Sequence, residues 1–286
     1  MLRHEFRIII CASGAAVVLL TQPACFNAMA DQSATDSRDA QESEQTTRVV
    51  QAELPKWKMW TGPDRKRELK LEPKSVLRWT NPGTQRVYGD VFVWTIDGRP
   101  EAVMSLFKVW DPPRGLHTEM QSLSLDEISA ERDGRVIWNP NKPGLAFQDV
   151  PDAPVPADSA VRRLQQMRSL AKDFSAELVD YRVNGDGERQ TLRLLPAPLY
   201  RHQSTDPRVL DGGLFGIVLG TDPEVFLLLE ARRLNKTVRW QYALARMNSD
   251  TMVVRYKDTE VARIERALSR ESLRDPYFLS GIPESP

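Results

Sequence analysis

Between residues 87 and 264 the apolar residues fall mostly into short runs broken by turn formers, a pattern of strands rather than helices. Val87-Tyr88-Gly89-Asp90-Val91-Phe92-Val93-Trp94-Thr95 is rich in β-branched and aromatic residues and reads as a strand. It ends at Ile96-Asp97-Gly98-Arg99-Pro100, which contains an Asp-Gly turn dipeptide. A second strand is predicted from Ala102 to Trp110, starting after Pro100 because proline has no N–H to give to a ladder. Asp111-Pro112-Pro113 stops it. A third strand is predicted over Gly115–Leu123 and a short fourth over Arg135-Val136-Ile137-Trp138.

Residues 139–156 hold Pro140, Pro143, Pro151, Pro154 and Pro156, which predicts an extended connector. One helix is predicted from about Asp158 to Val179. Val161, Leu164, Met167, Ala171, Phe174 and Leu178 recur there every three or four residues, while Arg162, Arg163, Gln166, Lys172 and Asp173 take the other face. Beyond the Asn184-Gly185-Asp186-Gly187 turn, strands are predicted at Thr191–Leu195, Leu214–Leu219, Val225–Ala231 and Val238–Ala245. Val225–Ala231 is apolar on both faces, which suits a buried central strand or a short helix. Met252–Tyr256 and Val261–Ile264 read as a hairpin around Lys257-Asp258. The expected class is α+β, a mainly antiparallel β-sheet with one long amphipathic helix packed on it. Residues 53–268 form this domain, either as one body or as two β subdomains joined by the 139–156 connector, and 269–286 read as a polar tail.

The N-terminus has a different pattern. Arg3 and Arg7 precede an apolar run from Ile8 to Leu20, and Ala28-Met29-Ala30 has the A-x-A form, so residues 1–30 read as a signal peptide cleaved after Ala30. The alternative is a lipoprotein acylated at Cys25, although Gln22 and Pro23 depart from the usual lipoprotein pattern. Either reading places the mature chain in the periplasm or outside the cell. Residues 31–52 are polar and predict a disordered leader. The only cysteines, Cys11 and Cys25, precede the cleavage point. Disulfide scaffolds, thiolate metal sites and cysteine nucleophiles are therefore excluded for the mature chain.

Charge excludes further classes. The whole chain carries 39 basic and 39 acidic residues, so nothing recommends nucleic acid as a partner. No later stretch approaches the roughly 20 apolar residues of a spanning helix. Nucleophile elbows, phosphate loops and dinucleotide fingerprints are missing, and no cofactor is expected. The remaining candidates for chemistry are few. His117 and Glu119, two apart on a strand, share a face, and with His202 they could hold a catalytic zinc. The spacing matches no zinc motif, so no metal is assigned. Asp90, Asp97, Asp211, Asp222 and Glu224 fall near turns, with Asp97 and Asp222 best explained as turn formers. Glu230 stands inside an apolar strand, either facing out or paired with Arg193, Arg232 or Arg239. Six of the seven tryptophans lie between residues 57 and 138. Most belong in a core, but Trp94, Trp110 and Trp138 are candidates for an aromatic surface that binds protein, peptide or glycan.

Gly220-Thr221-Asp222-Pro223-Glu224-Val225, Trp240-Gln241-Tyr242-Ala243-Leu244-Ala245-Arg246-Met247 and Leu194-Leu195-Pro196-Ala197-Pro198-Leu199-Tyr200-Arg201 resemble an uncharacterised family of exported bacterial proteins, over roughly residues 80–265. The resemblance implies bacterial export and carries no activity. Two functions then compete. The first is an extracytoplasmic binding or interaction protein without catalytic activity. The second is an extracytoplasmic hydrolase, with or without metal, using His117, Glu119 and His202.

Overall fold

The computed structural model describes residues 24–81, 86–180 and 188–283, with side chains from Ser37 onward except at 63 and 180. The predicted n- and h-regions of the signal peptide and the Asn184–Gly187 turn lie outside the described residues. Chain contacts divide the molecule into Met1–Gln41 and Glu42–Pro286. In the first unit the described backbone is helical from Ala24, through the predicted cleavage site. That helix, α1, spans Ala24–Glu53.

In the second unit the strands are β1 (Trp57–Thr61), β2 (Arg67–Glu68), β3 (Lys70–Leu71), β4 (Leu77–Thr80), β5 (Arg86–Ile96), β6 (Arg99–Asp111) and β7 (Pro113–Ser122). They continue with β8 (Ile128–Arg132), β9 (Arg135–Trp138) and β10 (Gln148–Asp149), followed by helix α2 (Ala160–Lys172). The second half holds β11 (Phe174–Asp180), β12 (Glu188–Leu194), β13 (Tyr200–His202), β14 (Val209–Leu219) and β15 (Asp222–Leu234). It closes with β16 (Thr237–Arg246), β17 (Thr251–Tyr256), β18 (Thr259–Ile264) and β19 (Tyr277–Gly281).

The strands form three sheets, and every pairing among them is antiparallel. One runs β2-β1-β8-β9. A six-stranded sheet runs β19-β7-β6-β5-β3, with β4 also on β5. A nine-stranded sheet runs β10-β16-β15-β14-β12-β11-β17-β18, with β13 also on β14. The chain is thus mainly β with few helices, and Val225–Ala231 is strand.

Alternation along the strands builds three apolar layers. Phe92, Trp94, Met104 and Met120 of the six-stranded sheet pack with Trp57, Met59, Ile128 and Trp138 of the four-stranded one. The opposite face of the six-stranded sheet, through Val91, Val93 and Val103, meets Phe226, Leu228 and Ala243 of the nine-stranded sheet. The far face of the nine-stranded sheet curls around a third core of Val225, Leu227, Leu229, Trp240, Phe174 and Val254, capped by Met167 and Leu170 of α2. Strand β15 therefore lies between two cores, its odd residues serving one and its even residues the other.

Four expectations are corrected. Residues 31–52 are helical rather than a disordered leader. The last turns of α1 bury Thr46, Val50 and Glu53, Trp110 Nε1 donates to Thr46 Oγ1 at 3.0 Å, and Arg132 Nη2 bonds Glu53 Oε2 at 3.2 Å. The long helix is also shorter than predicted. Ser159 caps its start by accepting from the Arg162 N–H, and the chain turns to strand at Phe174. Phe174, Ala176 and Leu178 are spaced by two as well as by four, and their pairing with β12 and β17 decides for the strand. Val161 of the predicted stripe is exposed, whereas Arg163 of the predicted outer face is buried. Pro100 lies inside β6, opposite Thr95 and beside a register shift that accommodates its missing N–H. Finally, the 269–286 tail contains β19, which pairs with β7 and buries Tyr277, Phe278 and Ile282.

Candidate functional site

The even face of β15 carries Glu224, Phe226, Leu228, Glu230 and Arg232, an apolar centre with acids at both ends. The two ends are built differently. At the Glu230 end the buried carboxyls are met by arginines. Arg99 Nε bonds Glu230 Oε1 at 2.8 Å, Arg232 Nη1 bonds Oε2 at 2.5 Å, and His202 Nε2 lies 3.2 Å from Oε1. Burial alone would raise the Glu230 carboxyl, but Arg99, His202 and Arg232 outweigh it and hold it down at about 2. Asp211, equally buried, is bonded by Arg163 of α2 and by Arg201, which ties the helix to the sheet. Gly212 is required here because a Cβ would stand 2.3 Å from the His202 ring.

At the other end, among the described residues, the three acids Glu119, Asp222 and Glu224 make no ion pair. Glu119 comes from β7, and Asp222 and Glu224 from the start of β15, where a register shift between Ile217 and Val218 leaves Glu224 at a bulge. Their hydrogen-bond donors are neutral. The Tyr277 hydroxyl donates to Glu119 Oε1, Asn81 Nδ2 donates to Asp222 at 3.2 Å, and Asn248 Nδ2 donates to Glu224. Among the described residues, no arginine, lysine or histidine comes within ion-pair distance of these three carboxyls; Asp250 nearby has Arg266 Nε at 3.6 Å. All four line one cleft of about 370 Å³ with Gln190, Tyr277 and two arginines, Arg114 and Arg270.

The electrostatics follow from that geometry. Burial raises Glu119 to about 8, reinforced by Asp222 and only partly opposed by Tyr277, Arg246 and Arg270. Asp222 is raised to about 7 by burial, against the Asn81 hydrogen bond. Glu224 is pushed well above its ordinary value by burial and by the charges of Asp222, Glu119 and Asp250. Carboxyls raised by burial and clustered in a cleft are groups set to respond to a ligand's charge.

The alternative catalytic trio of His117, Glu119 and His202 is not brought together. His117 and Glu119 share a face of β7 as expected, but the His117 ring stacks on Phe107 with centroids 5.3 Å apart. His202 is buried on β13 against Glu230, at the opposite end of β15 from Asp222 and Glu224, about 20 Å along the strand at the usual rise per residue. No group of three or more His, Cys, Asp or Glu side chains suited to a metal occurs among the described residues. The aromatic surface is also corrected. Trp94 and Trp138 are buried, the latter donating to the Asp275 carbonyl, because alternate strand positions must fill the core. Trp110 keeps a partly exposed face, covered by Lys108 Nζ at 4.2 Å. No helix among the described residues is long and apolar enough to cross a membrane.

Sequence reasoning missed Asn81, Asn248, Asp250 and Tyr277, and it assigned Asp222 to a turn. Asp222 and Glu224 flanking a proline at the start of a buried strand was the available signal. Compared with protein-family models, curated proteins and solved structures, the chain matches none.

Proposed function

We propose that the protein is an extracytoplasmic binding protein without catalytic activity, and that its ligand is a small organic cation held by Glu119, Asp222 and Glu224. The observation that carries this reading is the contrast between the two ends of β15. Glu230 and Asp211 are buried with arginines already in place, as a structural network should be. Glu119, Asp222 and Glu224 are held by neutral donors and face a cleft. An ammonium or guanidinium there supplies the missing charge, and the carboxyls lose protons as it binds. The signal-like N-terminus supports placing this activity outside the cytoplasm.

Calorimetric titration with putrescine, which has no carboxylate, tests the reading. Binding should be tighter at pH 9 than at pH 6, should release protons, and should be lost in Glu224→Gln. Absence of binding by putrescine, spermidine and guanidinium at both pH values overturns it. One observation favours a hydrolase, though one without the expected His117 and His202. A Glu119 kept protonated at neutral pH is a suitable general acid, with Asp222 or Glu224 as the second carboxylate. Under that reading, turnover of an aryl glycoside would disappear in Glu119→Gln.

A further inference from the structure

A larger cavity, of about 800 Å³, adjoins the acidic cleft, and both are lined by Phe107, Arg114, Arg270 and Leu279. Sheet register builds its floor. Phe107 of β6 stands opposite His117 of β7, and His117 stands opposite Gly281 of β19, so the three form one cross-strand row. The next row along the same face holds Glu119, which belongs to the acidic cleft.

Position 281 is open. A Cβ there would meet nothing nearer than His117 Nε2, at 3.8 Å, so the glycine leaves the ring uncovered on the β19 side. On the β6 side the ring stacks on Phe107, and Val109 and Leu279 extend the apolar surface. A further wall is the segment between β18 and β19, whose backbone is pinned at two points. The Ala267 N–H bonds the Ser249 carbonyl at 2.8 Å, and the Arg270 carbonyl accepts from the Leu279 N–H at 2.7 Å. Between these points Leu268 lines the cavity with its side chain exposed.

The charges in this cavity are mostly of one sign. Arg114, Arg266 and Arg270 line it against the single acid Glu271. Arg266 lies 3.6 Å from Asp250, while the Arg114 and Arg270 side chains make no ion pair or hydrogen bond among the described residues. Burial, reinforced by the charge of Arg114, lowers His117 below its ordinary value, so the positive charge at pH 7 is that of the arginines. Two uncommitted guanidiniums beside an apolar floor suit an oxyanion joined to an apolar body. A bare inorganic anion would leave the floor in water, and a neutral apolar molecule would leave the guanidiniums unmet. We infer that this cavity binds a small amphiphilic anion, its carboxylate or phosphate on Arg114 and Arg270 and its apolar body on Phe107, Val109 and Leu279. The ligand makes no use of Glu119, Asp222 or Glu224, so this inference stands apart from the proposed cation site.

Calorimetric titration of the full chain at pH 7 with hexanoate and with hexyl phosphate tests this. At least one should bind. Acetate, which lacks the apolar body, and 1-hexanol, which lacks the charge, should each bind at least about tenfold more weakly than hexanoate or hexyl phosphate. Arg114→Gln and Arg270→Gln should each weaken binding by at least about tenfold, as loss of a charge-assisted hydrogen bond implies. Both side chains are exposed, so an unchanged thermal transition will show the fold intact. Gly281→Leu fills the space beside His117 and should abolish binding; its Cβ makes only ordinary van der Waals contact, so the strand should still form. Putrescine reports on the acidic cleft alone, so failure of either reading is seen without the other. The inference is overturned if neither hexanoate nor hexyl phosphate binds at about 10 mM, a concentration that detects even millimolar affinity. It is equally overturned if 1-hexanol binds as well as hexanoate, or if Arg270→Gln or Gly281→Leu has no effect.

Discussion

Replacing Glu119 by glutamine should make the protein more stable at pH 8 and leave it nearly unchanged at pH 4. Glu119 is 8% exposed, and its carboxyl is raised from an ordinary 4.5 to about 8. In the unfolded chain the group ionises near its ordinary value, whereas in the folded protein it keeps its proton until pH 8. Between those values the folded state binds more protons, so its contribution is complete below pH 4.5 and declines as pH rises. At about 1.4 kcal/mol per pH step, the loss approaches about 3 kcal/mol at pH 7 and levels near about 5 kcal/mol above pH 8. Local relaxation and entry of water into the cleft reduce this, so about 1–3 kcal/mol is the expected gain for Glu119→Gln at pH 8. Glutamine preserves the shape and still accepts the Tyr277 hydroxyl, which is why little should change at pH 4. Urea unfolding followed by tryptophan fluorescence at both pH values measures the difference directly. If the variant is destabilised equally at pH 4 and pH 8, Glu119 is an ordinary paired carboxylate and the account of the cleft fails.

Two further outcomes follow from the arginine-bearing end. Glu230→Gln removes the shared partner of Arg99, Arg232 and His202 and should cost about 3–5 kcal/mol at pH 7, read from the urea midpoint. Because the Glu230 carboxyl is held at about 2, its contribution is present above pH 4.5 and lost as pH falls toward 2, so the deficit of the variant should shrink in acid. A deficit independent of pH between 7 and 2 would contradict that assignment. Gly212→Ala should cost about 1–3 kcal/mol by overpacking, since its Cβ would stand 2.3 Å from the His202 ring and 3.1 Å from Glu230 Cγ. An unaltered thermal midpoint would show that the His202 ring moves aside freely.

Much of the sheet structure was legible because period-two patterning and turn chemistry act locally. The Asp97-Gly98 turn joins β5 to β6, Lys257-Asp258 joins β17 to β18, and both turn aspartates have left-handed φ values, of 50° and 65°. The strand Arg135–Trp138 falls where its composition placed it. The errors came where two periods fit the same residues, or where a few apolar residues sat in polar surroundings. Phe174 and Leu178 extend a helical stripe and a strand equally well, and only β12 and β17, far along the chain, choose between them. Val50 in the leader and Leu54 just after it are four apart and few, yet both enter the core beside Trp57. In the tail, Tyr277-Phe278 is too short a run to predict β19 without the edge of β7 that it covers.

The candidate site was harder to read because it depends on which charges lack a partner, and pairing is a property of the folded chain. In sequence, Glu230 and Glu224 look alike, two acids in one strand separated by Phe226 and Leu228. The expected partner Arg232 does reach Glu230, but the expected Arg239 instead pairs with Asp149, and the stronger partner Arg99 arrives from β6, 131 positions away. Among the described residues no comparable cation arrives at Glu224; Glu119 arrives instead from β7, and Asp222 lies beside it. Burial raises the cost of charge at both ends of the strand. Where arginines meet it, the result is a fixed network in which Glu230 stays ionised. Where the hydrogen bonds come from Asn81, Asn248 and Tyr277, and Arg246 and Arg270 act on Glu119 only from a distance, burial raises the carboxyls above their ordinary values. The direction of the pH dependence therefore separates an acid fixed by arginines, Glu230 of β15, from one raised by burial, Glu119 of β7. Opposite slopes for the Glu119 and Glu230 variants are the signature that this architecture requires.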